Sequence, residues 1–103
     1  MRKPIDDRAI ETHHIIWSGV VLRVSFERNW LYTATFPRAH LQLESISPAR
    51  APLPMTETGY RSHFTSAEEI DAAGGPVAYA LAWLEDAAKS PAWSKTRQLD
   101  LFN

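Results

Sequence analysis

The chain has 103 residues and a mass of 11.7 kDa, enough for one domain with its own core and too few for two. It is 45% hydrophobic and 22% charged, holds no cysteine, and sets eleven basic against twelve acidic residues for a formal charge of -1. These figures exclude a disordered or membrane-spanning chain, a disulfide framework, a thiolate metal site and a cysteine nucleophile, and they lack the basic excess of a dedicated nucleic-acid binder.

Residues 1–10 mix charge and proline with little hydrophobic periodicity and read as a flexible leader. Asp6 and Asp7 stand where a secretory signal needs an apolar stretch, so the expected location is cytoplasmic. A β-hairpin follows. His13-His14-Ile15-Ile16-Trp17 runs into Ser18-Gly19, where glycine suits a positive φ. Val20 to Glu27 then alternates, with Val20, Leu22, Val24 and Phe26 on one face, as a half-buried strand requires. Arg28-Asn29-Trp30 breaks the alternation, and Leu31 to Phe36 reads equally as a short strand or a structured loop. Residues 39–46 alternate again through Leu41 and Leu43. Pro48, Pro52 and Pro54 remove ladder donors and predict an irregular surface crossing over residues 47–54. Tyr60-Arg61-Ser62-His63-Phe64 supplies the last strand, with Tyr60, Ser62 and Phe64 sharing a face.

The final third reads as helical. Ser66-Ala67-Glu68-Glu69 has the capping-box spacing, in which Ser66 accepts from the amide of residue 69 and Glu69 reaches back. Gly74-Gly75 closes that helix and Pro76 opens the next. Val77, Ala80, Leu81, Leu84 and Ala88 form its apolar stripe, with Trp83 and Ala87 on the shoulder and Glu85 one turn before Lys89. Ser90-Pro91 ends it and starts a further turn through Lys95. The expected architecture is a single α+β domain over residues 11–95, with a tail over 96–103. An antiparallel β-meander of three to five strands is followed by two or three helices packed on one face.

Glu57, Tyr60, Arg61 and His63 form the densest polar cluster. As chemistry, His63 would be a general base, Glu57 its orienter and Arg61 a phosphate clamp, as in a small nuclease. As structure, the same residues make a solvent-facing edge strand, and no second motif supports catalysis, so no catalytic residue is assigned. No metal ligand or cofactor is assigned either. His13 and His14 project to opposite faces of a strand, and no paired-histidine spacing suits a metal. Trp17, Trp30, Trp83 and Trp93, with Tyr32 and Phe36, serve either as core or as stacking platforms for single-stranded nucleic acid.

The tail is more specific. Gln98-Leu99-Asp100-Leu101-Phe102 resembles the short peptide by which bacterial replication and repair proteins bind the sliding clamp, a pattern of Gln, Leu, Ser or Asp, Leu, Phe. The resemblance covers five residues and implies nothing about the fold of the rest. At average residue usage such a match arises in a chain of this length with a chance of about 10⁻⁴. Leu99, Leu101 and Phe102 would enter an apolar groove, Gln98 a polar subpocket, and Asp100 would stay at the rim. Burying the three apolar side chains is worth roughly 5–8 kcal/mol, and ordering the tail takes several back, so the affinity is micromolar at best. The competing reading folds these residues back onto the domain as an edge strand or staple.

A second resemblance spans the last half of the chain. Residues 51–64, Gly74-Gly75-Pro76-Val77 and Ser90-Pro91-Ala92-Trp93 resemble small proteins encoded on bacterial plasmids and integrated mobile elements, and imply no activity. The combined expectation is a non-enzymatic protein that docks on the bacterial clamp, recruiting itself to replicating DNA or blocking host polymerases, and that meets no membrane. The alternative is a small nucleic-acid-binding protein or nuclease that uses Glu57, Arg61 and His63.

Overall fold

The computed structural model describes residues 10–31 and 38–93. Four strands, β1 (Ile10–Trp17), β2 (Val20–Leu31), β3 (Arg38–Ser47) and β4 (Tyr60–Thr65), pair antiparallel in the order β1-β2-β3-β4. Helices α1 (Ala67–Ala72) and α2 (Pro76–Ala87) follow, and residues 91–93 add a helical turn. The fold is α+β, a four-stranded meander followed by helices.

Ser18 and Gly19 join β1 to β2 with φ of 53° and 82°. Positive φ at both central residues is what a two-residue hairpin needs if its turn is to follow the right-handed twist of the strands. The register then sets Trp17 opposite Val20, Ile15 opposite Leu22 and His13 opposite Val24. Period two does the rest: Leu22, Val24 and Phe26 of β2 and Leu41 and Leu43 of β3 fall on one face, each at most 1% exposed. Ile70 from α1 and Ala80 and Leu84 from α2 close that face with no exposure. Each large side chain so buried contributes about 1.5–3 kcal/mol.

Three details depart from the sequence reading. β2 does not stop at Glu27 but runs to Leu31, because a register shift between Glu27 and Leu31 absorbs the break in alternation. The proline-rich crossing is not wholly on the surface: Leu53 is 2% exposed and joins the core, while Ala51 accepts from the Ser45 hydroxyl at 2.7 Å. Half of the capping box forms. Ser66 Oγ accepts from the Glu69 amide at 3.2 Å, but the Glu69 carboxylate turns to the Thr65 hydroxyl, 2.7 Å away. The apolar stripe of α2 faces the core as its spacing predicts, with Ala80 and Leu84 buried and Leu81, Trp83 and Ala88 packed around them, and Tyr79 joins it. Beside that stripe Glu85 accepts from the Trp17 indole of β1 at 3.0 Å. The leader, residues 32–37 and the Gln98 to Phe102 peptide lie outside the described residues. Among those described, no helix is long and apolar enough to cross a membrane.

Candidate functional site

β4 decides where the predicted polar cluster goes, because its alternation sends neighbours to opposite faces. Tyr60 faces away from the helices, and its hydroxyl donates to Gln42 Oε1 at 2.7 Å. Arg61 and His63 face the helices, opposite Leu43 and Leu41. Glu57 is exposed in the loop before β4 and lines a cleft of about 300 Å³ with Pro52, Pro54, Met55 and Trp93. Arg61 and His63 are therefore brought together, while Tyr60 and Glu57 are placed elsewhere.

Arg61 and His63 are built into an aromatic cluster with α2. The Arg61 guanidinium lies 5.4 Å from the centre of the Trp83 ring, and its Nη1 donates to the Met55 carbonyl at 3.0 Å. His63 stacks on Tyr79 and tilts against Trp83, with ring centres 5.7 and 4.7 Å apart, and its Nε2 shares a 2.9 Å hydrogen bond with the Tyr79 hydroxyl. Burial lowers the His63 pKa, the Arg61 charge lowers it further, and Glu69 opposes both. Burial and the same Glu69 raise the pKa of Tyr79. The carboxylate whose field reaches His63 is thus Glu69 from α1, not Glu57. The sequence reading did not bring Tyr79, Trp83 and Glu69 to this cluster, because they sit on helices that only the tertiary fold sets against β4. The one available signal was the aromatic pair at i and i+4 on the face of α2 beside its buried stripe.

This arrangement suits packing better than proton transfer. The only hydrogen bond made by the His63 side chain among the described residues goes to a neutral phenol, and the cation beside it spreads over an indole ring. Elsewhere, His13 bonds Glu11 at 2.9 Å, and no group of three histidine or carboxylate side chains among the described residues is arranged to hold a metal. Trp17 and Trp93 pack together with ring centres 6.2 Å apart, and both join the core with Trp83.

The opposite face of the sheet carries a different surface. Arg23 bonds Glu44 at 2.6 Å, His40 bonds Ser62 at 2.6 Å, and the His40 ring lies flat on Phe64 at 4.4 Å and 10°. Burial lowers the pKa of His40, opposed by Glu27 across the ladder. Tyr60 and the Arg50 loop border a second cleft of about 290 Å³.

No curated protein and no solved structure matches the chain. A family model does, that of the KlcB third domain, and its match runs over residues 10–93, from the first residue of β1 to the Trp93 that packs on Trp17. The chain belongs to the KlcB third-domain family.

Proposed function

We propose that the chain is a non-enzymatic interaction protein of a plasmid or mobile element, acting in the cytoplasm, that docks on the bacterial replication sliding clamp. The docking element is Gln98-Leu99-Asp100-Leu101-Phe102. One observation carries the reading: residues 98–102 match the clamp-binding pattern at every position, and they lie beyond the family match over residues 10–93. A KlcB-type domain is also in keeping with a plasmid-associated protein.

The mechanism is anchoring. Leu101 and Phe102 are neighbours, so a twist after Leu101 is needed to sink both into one groove, while Gln98 fixes register through its amide. Micromolar affinity suits a transient tether that either carries the domain to DNA or occupies a pocket used by polymerases. A pulldown with purified clamp, comparing the full chain with one ending at Arg97, tests the proposal. Capture of the full chain alone supports it, and equal capture of both, or of neither, refutes it.

A further inference from the structure

The face of the sheet turned away from the helices carries more than solvent-facing polar residues. Ile10, Ile16, Tyr60 and Phe64 are the large apolar or aromatic side chains left exposed among the described residues, at 57%, 74%, 44% and 44%. All four fall on this face, since the ladder sets Ile16 opposite Val21, Ile10 opposite Glu27, Glu44 opposite Tyr60 and His40 opposite Phe64. Ile10 and Ile16 stand on the β1 edge and Tyr60 and Phe64 on the β4 edge, so the feature an occupant would meet is the pair of rings along β4 and not a continuous apolar patch.

Charge selects the occupant. Arg23 and Arg38 lie on this face and Arg50 lines the cleft at its rim, against Glu27 and Glu44. Arg23 and Glu44 pair at 2.6 Å and cancel, and Glu27 is 6% exposed, so Arg38 and Arg50 are the charges that the described residues of this face present to solvent. On the other side α1 and α2 carry five carboxylates and no basic residue, with Arg28 paired to Asp71 and Arg61 lying over Trp83, so acid prevails there. A chain of net charge -1 therefore concentrates its acid on the helices and leaves the sheet face to an anionic partner.

The rings are also held in place. His40 backs Phe64 as a flat pair, and the bond from Tyr60 to Gln42 fixes the phenol across β3. Four residues along a strand separate the two platforms by about 13 Å. Between them Ser62 and Gln42 offer hydroxyl and amide groups to whatever lies across the sheet. Fixed rings, interleaved hydrogen-bonding groups and a cationic rim are what unpaired bases and their phosphates require, whereas a duplex hides its base faces.

We infer that the open sheet face binds single-stranded nucleic acid, with Phe64 and Tyr60 stacking on bases and Arg38 and Arg50 meeting phosphates. This site is separate from the clamp peptide and from the Arg61–His63 cluster. Fluorescence anisotropy of the full chain with labelled dT12, U12 and a 12-base-pair duplex tests it. Saturable binding of dT12 or U12 that weakens with salt is expected, and the ratio of the two names the preferred strand. Phe64→Ala and Tyr60→Ala should each weaken it about tenfold to a hundredfold. Arg61→Ala, on the helix side, should change it far less, and the Leu101→Ala, Phe102→Ala double variant should bind as the parent does, which separates this site from clamp docking. Phe64→Leu keeps bulk without a ring and Phe64→Trp keeps a ring, so loss in the first and retention in the second decides the matter if the alanine variant fails to fold. No binding to either strand, equal binding of duplex, or ring variants that bind like the parent would overturn the inference. So would self-association abolished by Phe64→Ala in the absence of nucleic acid binding, which would give the face to a second copy.

Discussion

Gly59 holds the crossing between β3 and β4 so tightly that one methyl group should unlatch it. A Cβ built there would lie 2.7 Å from the Arg50 carbonyl carbon, 2.8 Å from its Cα and 2.8 Å from the Ala51 oxygen, all of them backbone. No side chain can swing aside, so strain of about 1–3 kcal/mol follows from overpacking alone. Its φ of 78° adds about 1–2 kcal/mol for any residue with a Cβ. The same movement would loosen the bonds from Ser45 N to the Gly59 carbonyl and from the Ser45 hydroxyl to the Ala51 carbonyl, both 2.7 Å. Gly59→Ala should therefore cost about 2–5 kcal/mol, which for a domain of this size lowers Tm by roughly 10–30 °C. Gly19 is the internal control. Its φ is 82°, but a Cβ there meets nothing within 4 Å, so Gly19→Ala should cost only the conformational part, about 1–2 kcal/mol. Thermal unfolding followed by circular dichroism compares them. Equal Tm values for the two variants would refute the reasoning, because backbone crowding at Gly59 is what distinguishes them.

Leu53 is 2% exposed at the centre of the proline-rich crossing, so Leu53→Ala should cost about 2–5 kcal/mol by denaturant titration, where a surface leucine would cost almost nothing. His40 and His63 both have folded-state pKa values lowered from 6.5, so the unfolded chain binds more protons just below that pH. Their contribution to stability is present above pH 6.5 and is lost as pH falls through the window beneath it, down to the folded-state values. Stability measured between pH 7 and 5 should decline, and His63→Gln should flatten the decline.

The hairpin, the alternating strands and the meander were legible because a period of two and a Ser-Gly turn act locally. Leu22, Val24, Phe26, Leu41 and Leu43 are buried where alternation puts them. Leu53 was not legible, since no period governs a proline-rich crossing and only tertiary packing turns that side chain inward. Glu69 carries the same lesson: its spacing from Ser66 suggests a capping box, yet Thr65 at the end of β4 offers a better-placed donor. At the polar cluster, sequence proximity placed Glu57 beside His63, whereas the fold sets Tyr79, Trp83 and the field of Glu69 there. The two exposed rings of the open face were half visible in the alternation of β4, and the pairing of β3 with β4 was needed to bring His40 under Phe64.

The central functional claim is that residues 98–102 dock on the sliding clamp, and titration calorimetry of clamp with the full chain tests it most directly. The account predicts saturable binding with Kd on the order of micromolar, abolished by Leu101→Ala with Phe102→Ala while Tm stays nearly unchanged. Binding that survives the double substitution, or a Tm that falls by many degrees with no clamp binding in the parent, would contradict it.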